Sequence, residues 1–448
     1  MSTQTFDVIV LGAGMAGLTV ARRTAGAGQR VAIVDSRPYG GTCALRGCDP
    51  KKVLVGAAEI VDRARRLHGH GLRGAPTIAW DDLMAFKRTF TESVPDALER
   101  SLRGSGITAL RGAPRFTGKT DLELGGLTLR AERIVVAVGA RPRHLDIPGA
   151  EHVRSSTDFL DLDALPDRIV FIGGGYVSFE FAHIAARAGA RVTIVHRHDR
   201  VLPGFDPDLV DDLVRASEAV GVRVVTGFDV SEVEPVAGGL QVRSDAGGVA
   251  TADLIVHGAG RVPELDGLRL EAGEVAFNER RGILVDAHLR SITNPAVYAA
   301  GDAAATEGWP LTPVAVHEAF VVASNLRRGD HVTPDYAGTP SVVFTLPALA
   351  RVGLLESEAR DRNLDVIVKR HDTQGWYGAR RTRQEHAGHK VIVERASGRI
   401  LGAHLLGDHA GDAIDMFALA VRHGLTAQDL KTSILVHPSD TSDVAYMV

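Results

Sequence analysis

Residues Asp7–Leu11 read Asp-Val-Ile-Val-Leu, a short apolar run rich in Val and Ile, suited to a parallel strand covered on both faces. Gly12-Ala13-Gly14-Met15-Ala16-Gly17 follows, then a helical stretch to about Ala25 and a second apolar run, Arg30–Val34, that ends at Asp35. The same grammar returns about 160 residues later. Arg168–Ile172 leads into Gly173-Gly174-Gly175-Tyr176-Val177-Ser178, a helix to about Ala188 and a strand Val192–Val195. The repetition predicts an internally duplicated nucleotide-binding unit. Between the copies the pattern predicts helices over about 49–67 and 80–102 and a strand Arg133–Val138, which ends in Gly139-Ala140-Arg141-Pro142. After the second copy, Leu254–Val256 ends in Gly258-Ala259-Gly260-Arg261, and Ala296–Ala300 runs into Gly301-Asp302. Pro334–Pro340 marks a linker. Strand-like runs beyond it (Ser341–Thr345, Val366–Val368, Lys390–Glu394, Leu401–Leu406), with a helix over about 412–423, predict an α+β domain.

Composition narrows the class. The 448 residues suggest about three domains at roughly 150 each, and 45% hydrophobic with 24% charged residues excludes wholesale disorder. Lys plus Arg number 51 against 55 Asp plus Glu, so no basic field is available for a nucleic-acid backbone or an anionic membrane. The apolar stretch Val8–Ala21 is broken by three glycines, too short to span a bilayer, and lacks a charged leader. A cytoplasmic protein with no nucleic-acid or membrane partner is expected. Cys43 and Cys48 are the only cysteines, too few for a disulfide framework or a structural zinc site, and they point to redox work.

The first glycine run has the context that a dinucleotide fingerprint needs: a strand before it, a helix after it, and Asp35 eighteen positions past Gly17. Gly12 allows the tight turn, Gly14 admits a pyrophosphate and Gly17 lets helix and strand pack closely. The phosphates would face a helix N-terminus, and Asp35 would accept a bond from a ribose hydroxyl. In the second copy Ser178 replaces the third glycine, and the strand end reads His196-Arg197-His198-Asp199-Arg200. An arginine there suits a 2′-phosphate, which favours NADPH, with NADH as the alternative.

On a regular helix, residues five apart have Cα atoms about 8.7 Å apart, from a rise of ~1.5 Å and a radius of ~2.3 Å. Disulfides rarely exceed about 7 Å between Cα atoms. If Cys43 and Cys48 bond, the backbone between them must leave helical geometry, and Gly47 makes that easier. A thiol at a helix start also has its thiolate favoured by the dipole.

The segment Gly40-Gly41-Thr42-Cys43-Ala44-Leu45-Arg46-Gly47-Cys48-Asp49-Pro50-Lys51-Lys52 closely resembles the redox segment of the class I pyridine nucleotide–disulfide oxidoreductases, the group of glutathione reductase, dihydrolipoamide dehydrogenase and mercuric reductase. The other landmarks follow in that family's order: both fingerprints, Gly139-Ala140-Arg141-Pro142, Gly260-Arg261-Val262-Pro263, Tyr298–Asp302, Leu311-Thr312-Pro313-Val314-Ala315, and His437-Pro438.

The resemblance implies an α/β fold with two Rossmann-like domains and a C-terminal α+β dimerisation domain. Residues 1–148 with 263–333 would bind FAD, 149–262 NAD(P)H, and 334–448 would form a homodimer whose active site is shared. Gly12, Gly14, Gly17, Asp35, Gly41, Thr42, Gly139, Asp302 and Ala315 would line the FAD site. Gly173, Gly175, Tyr176, Arg197, Arg200 and Gly260 would serve the nucleotide, with Tyr176 as the gate of its nicotinamide pocket. Cys48 matches the sulfur next to the flavin and Cys43 the interchange thiol. Lys51 matches the lysine near the flavin, paired with Glu180, and His437 the acid–base histidine that reaches the partner subunit. The implied activity is reduction of a low-molecular-weight disulfide by NADPH. Its rivals are a dihydrolipoamide dehydrogenase-like enzyme, a direct flavin-to-quinone reductase and a non-catalytic redox sensor.

Departures from the pattern are informative. The family places a glutamate five residues after the histidine; here stands Ser442, with Asp440 and Asp443 as possible replacements. Arg22 matches a glutathione-contacting arginine, but Leu98 and Asn325 stand at two other substrate positions, which argues against glutathione. No cysteine follows Cys48, unlike mercuric reductases.

Overall fold

The computed structural model describes residues 3–448. Two compact units emerge, one of Met1–Pro50, Phe86–Arg143 and Arg261–Tyr336, the other of Lys51–Ala85, His144–Gly260 and Ala337–Val448.

The first unit is built on strand β1 (Thr3–Leu11), helix α1 (Met15–Ala25) and strand β2 (Val31–Asp35). Val8, Ile9, Val10 and Leu11 have no exposure at all, as an unbroken apolar run requires when both faces of a parallel strand are covered. β1 pairs in parallel with β2 on one side and with Leu127–Val136 on the other. Thr108–Arg111 extends the sheet beyond β2, and Val297–Ala299 pairs with the far half of Leu127–Val136. An antiparallel excursion, Arg115–Phe116 and Asp121–Leu124, joins the near half.

In the second unit the parallel order is Val222–Val225, Arg191–Val195, Arg168–Ile172, Leu254–His257, the duplicated fingerprint unit. A three-stranded antiparallel sheet, 230–252, interrupts it. The C-terminal part is an antiparallel five-stranded sheet, ordered Ser341–Val343, Ala348–Gly353, Ile400–Gly407, Gly388–Glu394, Val366–Asp372, with the helix Ala410–His423 packed on its core.

Two expectations are corrected. The single helix over 80–102 is two, Trp80–Thr89 and Val94–Gly104. Pro95 lies at the start of the second, where a missing N–H costs nothing, whereas inside a continuous helix its ring would clash with the preceding turn. The expected helix over about 49–67 begins instead at Cys48, and a six-residue helix precedes it, so the cysteines stand on separate helices.

Candidate active site

The redox segment folds as helix α2 (Gly41–Arg46), then Gly47 at φ −150° and ψ −111°, then helix α3 (Cys48–Arg66). A side chain on Gly47 would place its Cβ 3.0 Å from the Thr42 carbonyl oxygen and 3.1 Å from its methyl. The break turns Cys43 and Cys48 towards each other, and the two thiols hydrogen-bond. That bond, followed by burial, pushes the Cys43 thiol far above its ordinary range; Thr312 opposes the shift and Asp49 adds to it. Cys48 opens the 19-residue α3, where the helix dipole favours a thiolate, and its sulfur lies 3.5 Å from the Thr312 hydroxyl. The two sulfurs therefore differ in setting: Cys43 is half-buried with its thiol pushed up, and Cys48 is exposed at the start of a long helix.

The first fingerprint makes a cradle for an anion. Gly12 has φ +101°, and a Cβ there would come within 2.3 Å of the Ala137 carbonyl oxygen; one on Gly17 would strike the Gly12 oxygen at 1.9 Å. Gly14 caps α1 without a side-chain bond and no acid occupies the first turn, a helix start suited to an anion. Gly41 approaches Gly14 so closely that its Cβ would lie 2.5 Å from the Gly14 Cα. Asp35 accepts hydrogen bonds from the backbone N–H of Ala13 (2.7 Å) and of Arg37 (2.8 Å), which ties the end of β2 to the glycine turn. Thr42 is exposed beside Gly41. Gly139 accepts a backbone bond from Glu264 at 2.9 Å. Ala315, in the helix Thr312–Arg328, leaves only 3.1 Å to a Cβ on Gly301, so the chain before Asp302 lies close against it. Burial pushes the Asp302 carboxyl above its ordinary range, Arg261 opposing. These residues fit a dinucleotide's phosphates and ribose.

The second fingerprint repeats the device. Gly173 has φ +107°, and Gly175 caps the helix Tyr176–Arg187 with no side-chain bond and no acid in the first turn. Ser178 is fully buried with its hydroxyl unpartnered, and a Cβ on Gly258 would lie 1.9 Å from that oxygen. The side chain at the third-glycine position is thus accommodated by a glycine opposite. Tyr176 is 46% exposed at the helix start. Arg197 donates to His198 at 3.0 Å and Arg200 lies 3.9 Å from Asp211; Gly260, at φ +104°, is exposed.

Lys51, three residues beyond Cys48, donates to Glu180 at 2.9 Å, and both side chains are nearly buried. Glu180 also accepts the Phe344 N–H at 2.8 Å, and the Lys51 ammonium stands 4.3 Å from the centre of that ring. His437 is exposed. Ser439 and Ser442 wind the following residues into a 3₁₀ turn, and the Ser442 hydroxyl donates to the Ser439 carbonyl at 2.6 Å. Asp440 lies 3.5 Å from His409. Burial, then Asp440, push the Asp443 carboxyl up, while His437 draws it down.

Sequence reading assigned no role to Glu318 or Asp49. Glu318 is buried and accepts bonds from the Gly301 N–H (2.6 Å) and the hydroxyls of Thr306 and Tyr336 (2.8 and 2.7 Å). Its signal was a carboxylate on the apolar face of a helix that also buries Val314, Val321 and Val322. Asn325 is 1% exposed, and its amide serves His288, His331 and Val332 backbone groups, so it holds a loop rather than facing a substrate.

Residues 6–319 match the family model described as pyridine nucleotide-disulphide oxidoreductase, and 339–447 match that family's dimerisation domain. The chain belongs to this family. A glutathione reductase of Burkholderia cepacia is 34% identical over 440 residues, covering 98% of this chain and 97% of that protein. A dihydrolipoyl dehydrogenase of Thermus scotoductus is 33% identical over 97% of this chain and 95% of its own. Among solved structures, the Cu(II) complex of the HOCl-induced flavoprotein disulfide reductase RclA from Escherichia coli superposes with a TM-score of 0.90 at 27% identity, covering 99% of both chains. The family member described here is an FAD-dependent disulfide oxidoreductase with a pyridine nucleotide as its other cofactor. Among the described residues no helix is long and apolar enough to cross a membrane.

Proposed function

We propose that the chain is an NADPH-dependent reductase of a low-molecular-weight disulfide, working as a cytoplasmic homodimer. The observation that carries this reading is the thiol pair brought into contact by the break at Gly47. Residues 1–148 and 263–333 are assigned to FAD, 149–262 to the nucleotide and 334–448 to the dimer. Bound FAD supplies the exchange of a nicotinamide hydride for two electrons at sulfur. Lys51, oriented by Glu180, places a positive charge three residues from Cys48. Tyr176 gates the nicotinamide pocket, while Arg197 and Arg200 answer the 2′-phosphate. Cys43 meets the substrate, and the partner's His437 supplies and removes the proton of the departing thiol.

The test is steady-state assay of the holoenzyme with disulfides and quinones, NADPH and NADH side by side, for wild type and Cys43→Ser. Disulfide reduction is expected to collapse in the variant, with NADPH preferred in wild type. Survival of disulfide reduction in Cys43→Ser, or protein that never holds flavin, would overturn the reading. One feature favours a second reading, direct reduction of quinones: Ser442 spends its hydroxyl on Ser439, so the residue at the family's glutamate position does not orient His437. Quinone turnover far above disulfide turnover in wild type would establish that alternative.

A further inference from the structure

Asp49 follows Cys48 in the first turn of α3, and its Oδ1 lies 3.9 Å from the Cys43 sulfur. Asp49 is exposed and Cys43 half-buried. Two basic residues near it in sequence are held by carboxylates of their own: Lys51 bonds Glu180, and Lys52 stands 3.3 Å from Glu59. Within the chain, the charged side chain set against Cys43 is negative.

We propose that Asp49 selects the electron acceptor by charge, so that the disulfide reduced at Cys43 is neutral or cationic and dianionic disulfides are discriminated against. This rests on the disulfide-reductase reading above. Deprotonated Cys43 attacks one sulfur of R–S–S–R, forming a Cys43–S–S–R bond and releasing RS⁻. The Cys48 sulfur then displaces the second RS⁻ and closes the Cys43–Cys48 bond. The substrate gains the two electrons that the cysteine pair loses, and the two protons given up by the Cys43 and Cys48 thiols complete the RSH products. Throughout, the R groups pass beside the Asp49 carboxylate. Unit charges about 4 Å apart change a rate by roughly fivefold even at the dielectric of water. A dianionic R–S–S–R meets that penalty, a dicationic one gains by it, and a neutral one is spared.

The experiment compares kcat/KM for cystamine (dicationic), bis(2-hydroxyethyl) disulfide (neutral) and 3,3′-dithiodipropionate (dianionic), at low and high salt, in wild-type holoenzyme, Asp49→Asn and Asp49→Glu. Wild type is expected to prefer cystamine over dithiodipropionate. Asp49→Asn should shrink that ratio by about fivefold or more, Asp49→Glu should restore it, and salt should shrink it in wild type. A second readout needs no turnover: in the two-electron-reduced enzyme, alkylation of Cys43 by neutral iodoacetamide should reach its plateau at lower pH in Asp49→Asn. A wild-type ratio of unity, or one that Asp49→Asn leaves intact, overturns charge selection while leaving the disulfide reductase standing. Failure of wild type to reduce any of the three disulfides overturns the reductase reading, and the proposal with it.

Discussion

The Lys51–Glu180 pair shows what a single residue carries. Both groups are almost removed from water, and each satisfies the other along with a backbone N–H and an aromatic face. Removing one partner strands a buried charge, which costs about 3–5 kcal/mol, whereas replacing both with apolar groups of similar volume is often nearly neutral. Glu180→Ala is therefore expected to lower the thermal unfolding midpoint sharply, and the double change Lys51→Met with Glu180→Met to recover most of it. A double variant as unstable as Glu180→Ala would show that the pair holds the fold by more than mutual neutralisation. The two C-terminal acids separate in the same way. Asp440 is engaged by His409 and Asp443 stands in the field of His437. Asp443→Asn should shift the pH profile of disulfide reduction, and Asp440→Asn, which acts only through Asp443, should shift it less. Matching profiles for wild type and Asp443→Asn would remove the carboxylate from any part in orienting the imidazole.

At the scale of elements, the redox segment depends on how closely backbones approach. Gly41 has φ +65° and comes so near Gly14 that a Cβ would lie 2.5 Å from that Cα, so the N-terminal ends of α1 and α2 meet through two glycines. Gly28 also has a positive φ, +89°, but nothing lies within 4 Å of its Cβ direction. Gly28→Ala is expected to cost about 1 kcal/mol of backbone strain and keep its flavin. Gly41→Ala must part the two helix ends and is expected to release FAD, read as a fall in the 450 to 280 nm absorbance ratio of the purified protein. Equal flavin content in both variants would refute the claim that this approach shapes the cofactor site. These elements were legible where the signal is local: a fully buried strand, a glycine turn and a helix in immediate succession, or a glycine between two cysteines whose spacing forbids one helix. The hairpin over 115–124 and the sheet over 230–252 were missed because their strands, two to seven residues long, are mostly half-exposed and lack the unbroken apolar runs of the buried strands. Contacts such as Ser178 against Gly258, or Lys51 with Glu180, join positions 80 or more residues apart that no local pattern links.

At the scale of the molecule, acid should act on the C-terminal sheet. Two of its histidines, His389 and His404, lie on the paired strands Gly388–Glu394 and Ile400–Gly407, both with no exposed surface. Burial, reinforced by the charges of His371 and Lys369, pushes His389 down to about 4; burial does the same to His404, to about 4, against the pull of Asp206. Unfolded, each imidazole binds its proton near 6.5; folded, it stays neutral until about 4. The unfolded chain therefore holds more protons throughout that window. The stability these groups confer is complete above about pH 6.5 and is lost as pH falls towards 4, by up to about 3 kcal/mol each. His404 donates to the Leu354 carbonyl at 3.0 Å, but neither ring nitrogen of His389 has a partner. An apolar ring of similar size can take that place without leaving a polar group unpaired. His389→Phe is accordingly expected to match wild type in thermal midpoint at pH 7.5 and to exceed it by several degrees at pH 4.5. Because the sheet belongs to the dimerisation domain, wild type near pH 4.5 should lose its sheet-dependent dimer before its flavin. Size-exclusion chromatography with absorbance at 450 nm follows both events. Flavin loss ahead of dissociation, or an acid-induced fall in midpoint that His389→Phe leaves unchanged, would place the acid-sensitive element elsewhere.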